Sequence, residues 1–118
     1  MTTPNIFLYV QNLLGIGHLR RAAAISRALT EIGLDVNFVS GGFPIPNLNV
    51  GSAKFHQLPP VRSLDRNFKL LVDETGQKID DKWRQNRCST LLNLFEETKP
   101  SIILTELFPF GRRQFRFE

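Results

Sequence analysis

Asn5–Val10, Asn-Ile-Phe-Leu-Tyr-Val, is a run of aliphatic and aromatic residues with no polar alternation. A run of this kind suits a strand buried on both faces, as strands of a parallel sheet are. A parallel neighbour requires a crossover connection, and the next residues provide one. Residues 11–17 form a loop with two glycines. Residues 18–32 place Leu19, Ala22, Ile25, Leu29 and Ile32 on one side of a helix, with Arg20, Arg27 and Glu31 opposite. Alanines at 22, 23, 24 and 28 favour the helix, and Gly33 stands where a glycine ends one. This strand–loop–helix opening directs the chain to the α/β class.

The remainder continues the alternation. Residues 35–40 predict a second strand, stopped by Gly41-Gly42. Residues 43–52, with Pro44 and Pro46, read as a loop. Residues 54–58 predict a short third strand before Pro59-Pro60, and residues 61–77 are mixed and polar with no assignable period. Residues 79–98 predict a helix with Cys88, Leu91, Leu92 and Phe95 at helical spacing, closed by Pro100. Residues 101–107 read as the last strand, 108–111 as a turn and 112–118 as the start of a helix. The expected fold is α/β, a Rossmann-like parallel sheet with flanking helices, in one domain over residues 1–118.

Composition narrows the classes. No apolar stretch approaches the ~20 residues of a membrane helix, and the early run lacks the basic lead of a signal peptide. The single cysteine, Cys88, excludes an internal disulfide and a multi-cysteine zinc site. These features fit a cytoplasmic protein. Fifteen Lys and Arg against eleven Asp and Glu give a net charge of +4, which by itself suits a mixed solvated surface. No interleaving of basic and aromatic residues marks a nucleic-acid strand, so no nucleic-acid partner is expected. Cys88 and Trp83 are expected in the core, and His56 in a structural role.

The most informative segment is Gly15-Ile16-Gly17-His18-Leu19-Arg20-Arg21, between the first strand and the first helix. Free amides at a helix start attract anions, and glycines let a ligand approach the backbone. The dinucleotide fingerprint is not met, because Arg20 replaces its third glycine and no acid follows the second strand. Neither a Walker loop nor a serine-hydrolase elbow is present. On the residues alone the segment is either a phosphate site or a tight turn.

The end of the chain is unusual. Phe108, Phe110, Phe115 and Phe117 crowd the last eleven residues, with little chain left to cover them. The expectation is a domain truncated at its C-terminus.

Gly15-x-Gly17-His18-x-x-Arg21 and Glu106-x-Phe108-Pro109-Phe110-Gly111-Arg112-Arg113 together resemble a known family. They are similar to the N-terminal, acceptor-side domain of two-domain nucleotide-sugar glycosyltransferases of the GT-B type. The likeness is to bacterial predicted glycosyltransferases related to family 28, which includes the peptidoglycan N-acetylglucosaminyltransferase. It runs from about residue 5 to 118. Leu13 and Leu14 stand where the peptidoglycan enzyme has further glycines. The resemblance implies transfer of a sugar from a nucleotide-diphosphate sugar, the co-substrate, to an acceptor hydroxyl, with no cofactor and no metal. A second domain would hold most of the donor, so these 118 residues alone would be inactive. His18 is the implied base and Glu106 a second candidate for taking the proton or orienting His18. An alternative role for Glu106 is pairing with Arg113 or capping the segment after it. Gly15, Gly17, Gly41 and Gly42 would line the cleft. Arg21, Arg112 and Arg113 would meet an anionic substrate or a phosphorylated acceptor. A lipid-linked acceptor would bring the domain to a membrane surface. The competing reading is a stand-alone small α/β module that binds an anion or nucleotide without catalysis.

Overall fold

The structure, a computed structural model, describes residues 3–66 and 70–106. The predicted turn and helix at 108–118, with their four phenylalanines, lie outside the described residues. The element order is β1 (Asn5–Val10), α1 (Gly17–Glu31), β2 (Asp35–Ser40), β3 (Lys54–Gln57), β4 (Arg62–Ser63), β5 (Leu71–Val72), α2 (Asp81–Thr98) and β6 (Ile102–Thr105). Four strands form one sheet in the order β3-β2-β1-β6, with every pair parallel. The unassigned stretch at 61–77 contains a small antiparallel pair, β4–β5. Pairs of two residues are too short to leave a period in the sequence.

Alternation along β1 sends side chains to both faces. Ile6, Leu8 and Val10 join Val36 and Phe38 against Leu19, Ala22 and Ala23 of α1. Phe7 and Tyr9 join Val39 and Leu58 on the other face, where Leu91 and Leu94 of α2 pack. The sheet is thus sandwiched between two helices, which is why β1 carries no polar alternation. The chain winds from β1 outward to β3, then α2 returns it across the opposite face to β6. The winding reverses at β1, so a topological switch lies between β1 and β6.

The buried stripe of α1 is Leu19, Ala22, Ala23 and Ser26, at i, i+3, i+4 and i+7. Ile25 and Ile32, expected on that side, are exposed, Ile32 by 72%. Size outranks hydrophobicity here: alanine and serine let the helix backbone approach the sheet closely. The Ser26 hydroxyl donates to the Val50 carbonyl at 2.7 Å, so its burial leaves the group satisfied. The helix ends as a Schellman motif. Leu34 N–H donates to Leu29 O, Gly33 N–H to Thr30 O, and Gly33 adopts φ +87°.

Helix α2 starts at Asp80, whose carboxylate accepts from Trp83 N–H at 2.8 Å. It ends at Lys99 in a left-handed conformation just before Pro100. Its expected apolar face is only partly covered. Leu92 and Phe95 are exposed and Cys88 is half-buried, although Phe95 makes an edge contact with Phe7. Trp83 packs partly buried against the Leu13, Val61, Leu71 and Ile79 cluster.

The fully buried residue of α2 is Arg87. Its guanidinium donates to Pro59 O and Tyr9 Oη, each at 3.0 Å, to Gly41 O at 3.4 Å and to Gln11 Oε1. The Trp83 ring lies 5.5 Å from its Cζ. One side chain therefore ties α2 to β1, to the end of β2 and to the segment after β3. Arg87→Met should lower unfolding free energy by about 3 kcal/mol, because several buried acceptors lose a charged donor at once. Urea unfolding measures this, and a loss within experimental error would show that the network contributes nothing net.

A second polar chain crosses the sheet near its other end. His56 Nε2 lies 3.0 Å from Asn37 Oδ1, and Asn37 donates to Asn5 Oδ1 at 2.8 Å. Asn37 spends its amide nitrogen on Asn5, so the His56–Asn37 bond has the ring nitrogen donating. Burial, and secondarily Lys54, lowers the His56 pKa below 6.5, while Glu97 opposes the shift. The unfolded state therefore binds its proton more readily. Stability from this group should be full above the ordinary histidine range and fall as pH drops through about 6.5 toward the lower folded value. Urea midpoints across that window should show the fall, and His56→Gln should shrink it.

Candidate functional site

Open parallel sheets bind ligands beyond the carboxyl ends of their strands, at the point where the winding reverses. Here that point is the gap between β1 and β6. The glycine loop leaves β1 on one side of it, and Glu106 directly follows β6 on the other. Tyr9 O accepts from Glu106 N–H at 3.1 Å, so the backbone pairing of β6 with β1 places the carboxylate beside the loop.

His18 and Arg21 stand three residues apart in the first turns of α1, hence on one face. Both reach Glu106. His18 Nδ1 lies 3.0 Å from Glu106 Oε1, and Arg21 Nε donates to the same oxygen at 2.9 Å, with Arg21 Nη2 2.7 Å from it in the ion pair. The Glu106 side chain is 10% exposed, His18 33% and Arg21 65%. An ionised carboxylate only accepts, so the His18 contact puts a ring proton on Nδ1, and in the neutral imidazole the lone pair is then on Nε2. Among the described residues, the partners of Glu106 are thus His18 and Arg21. Arg112 and Arg113 lie outside the described residues.

The four glycines separate into two kinds. A Cβ at Gly41 would collide with the Arg87 guanidinium and with Gln11 Oε1, and one at Gly42 with the Asn12 carboxamide. These two glycines, expected to line a ligand cleft, make room for neighbouring side chains of the fold. At Gly15 and Gly17 a Cβ would meet nothing within 4 Å, and neither adopts positive φ. Neither the packing nor the backbone requires glycine at 15 or 17. The open side of the loop faces outward, beside the first amides of α1. That helix has no side-chain cap at its N-cap, Ile16.

Beneath the loop the edge is stitched by bonds the sequence does not announce. Gly41 N–H donates to Val10 O at 2.9 Å, Val61 N–H to Gly41 O at 3.2 Å and Ser63 N–H to Leu13 O at 2.8 Å. Gln11 Nε2 bonds Asn12 O and Val61 O, and Asn12 Nδ2 bonds Gly15 O at 3.3 Å. Sequence reading missed Tyr9, Gln11, Asn12 and Arg87. The available signal was a pair of amide side chains, Gln11-Asn12, directly after an apolar strand.

A groove of about 470 Å³ runs between β3 and α2, lined by His56, Leu58, Asn93 and Glu97 among others. None of the expected site residues lines it, and β2 separates it from the switch point. Among the described residues, no group of three or more His, Cys, Asp and Glu is placed to hold a metal ion, and no helix is long and apolar enough to cross a membrane. No family model, curated protein or solved structure matches the chain.

Proposed function

We propose that the chain is the acceptor-side portion of a GT-B glycosyltransferase that moves a sugar from a nucleotide-diphosphate sugar to an acceptor hydroxyl. The observation that carries this reading is the His18–Glu106 contact at the switch point, beside two glycines that the fold itself does not require. The likeness of both motifs to the family adds to it.

In this reading His18 is the general base. Its Nε2 lone pair takes the hydroxyl proton as the acceptor oxygen bonds to the anomeric carbon. The bond from that carbon to the diphosphate oxygen breaks, and the electron pair leaves with the diphosphate. Glu106 holds the imidazole in the right tautomer and stabilises the imidazolium, the role a buried carboxylate plays in a hydrolase triad. Free amides of the glycine loop and the α1 N-terminus face the negative charge of the diphosphate or of an acceptor phosphate. Gly15 and Gly17 are the residues that let that charge come close. The donor nucleotide is the small-molecule partner, and a lipid-bearing acceptor would add contact with a membrane surface.

In the longest natural chain that carries this domain, His18→Ala should lower kcat by about 10² to 10⁴-fold with the fold intact, the range typical of a lost general base. Turnover would be measured with a panel of nucleotide-diphosphate sugars and hydroxyl acceptors. Unchanged kcat would sink the base assignment and favour the non-catalytic anion-binding module.

The glycine loop gives a separate test. Gly17→Val should leave the urea midpoint within experimental error, since no neighbour is close enough to resist the side chain. It should also weaken binding of a nucleotide-diphosphate sugar or inorganic diphosphate at least tenfold by calorimetry. Binding unchanged by the valine would remove the loop from the site.

A further inference from the structure

Three nitrogens converge on one oxygen of Glu106: His18 Nδ1 and Arg21 Nε in hydrogen bonds, and Arg21 Nη2 at 2.7 Å in the ion pair. A carboxylate on the first residue past a short edge strand has side-chain freedom of its own. A single bond to an imidazole, which can itself rotate, does not fix either partner. Arg21 changes that, because its planar fork sets Nε in a hydrogen bond and Nη2 in close contact with the same oxygen, from the helix that carries His18. Arg21 is 65% exposed although Glu106 is only 10% exposed, so the arginine end of the pair stays solvated and screened. The fold alone therefore does not account for arginine at this position, whereas orientation of Glu106 does.

We infer that Arg21 is a positioning residue: it clamps Glu106 Oε1 against His18 Nδ1 and so holds the imidazole with its proton on Nδ1 and its lone pair on Nε2. Its guanidinium is engaged by Glu106 through Nε and Nη2. This assignment rests on the reading of His18 as the base, for it is the base that needs one tautomer. A lysine at position 21 would keep the charge but offer a single nitrogen, so Arg21→Lys is not a conservative change here.

The test is the nitrogen spectrum of the imidazoles in the 118-residue chain labelled with ¹⁵N-histidine. The chain has two histidines, His18 and His56, and a His56→Asn variant assigns the signals. Above neutrality, wild-type His18 should show a protonated-type signal at Nδ1 and an unprotonated-type signal at Nε2. In Arg21→Met the two signals should draw together as the tautomers mix, and Glu106→Ala should do the same. Arg21→Lys should fall between wild type and Arg21→Met. Arg20→Met, on the same helix but outside the cluster, should leave the pattern unchanged, and the backbone amide spectrum reports whether each variant is folded. If Arg21→Met is unfolded, Arg21→Lys and Arg21→Gln carry the comparison.

A wild-type pattern in folded Arg21 variants alongside an altered one in Glu106→Ala would overturn the clamp. So would a wild-type proton on Nε2. The spectra need neither donor nor acceptor. A wild-type pattern in the folded Arg21 variants therefore overturns the clamp and leaves the base assignment standing, a proton on Nε2 overturns both, and unchanged turnover in His18→Ala overturns the base while the contact of Arg21 and Glu106 with His18 remains.

Discussion

A guanidinium removed from water must be answered by acceptors arranged around it, or the charge costs several kcal/mol. Arg87 is such a group, and its acceptors come from β1, from the end of β2 and from the segment after β3. Each of those segments ends at the carboxyl edge of the sheet. The arginine therefore does more than anchor α2. It fixes how three chain segments leave the sheet, and the glycine loop begins from one of them. Gly41 is glycine because the guanidinium occupies the space a side chain would need. The edge that presents the candidate site is thus organised from below by one buried charge, while the residues with reactive chemistry stand above it and stay partly open.

The switch in winding at β1 gives that edge its geometry. Were all strands added in one direction, Glu106 would end on the far side of β2 or β3, out of reach of His18. Because α2 carries the chain back across the opposite face, β6 pairs with β1. Residues separated by 88 positions, His18 and Glu106, meet at 3.0 Å. Parallel register does the aligning: Tyr9 pairs with Thr105, and the next residue on the β6 side is Glu106.

Much of this was legible. The unbroken apolar run of β1, the alanine-rich α1 with Gly33 at its end, the stops at Gly41-Gly42 and Pro100, and the α/β alternation all follow from short-range rules. Those rules read local propensity and periodicity. They fail where distance in sequence or size of side chain decides. Hydrophobicity placed Ile25 and Ile32 inward, but close approach of α1 favoured Ala23 and Ser26. No period marks Arg87 as buried, since charged residues at helix positions are normally solvated. The strand order was not legible either. Without it no short-range rule points from Glu106 back to His18 and Arg21, 88 and 85 positions away.

The two pairs of glycines show why a motif needs its surroundings before it carries chemistry. In sequence, Gly15-x-Gly17 and Gly41-Gly42 are alike: both follow a strand, and both sit at the edge where ligands bind. Only the neighbouring atoms separate them. At Gly41 and Gly42 the fold fills the space with Arg87, Gln11 and Asn12, so internal packing fully explains the residue choice. At Gly15 and Gly17 the space is open and the backbone conformation is one any residue adopts. A glycine that no internal contact requires is best explained by something approaching from outside. That approach would be made beside a histidine whose free nitrogen is set by a carboxylate, and this conjunction, more than either motif alone, is the physical case for a reactive site.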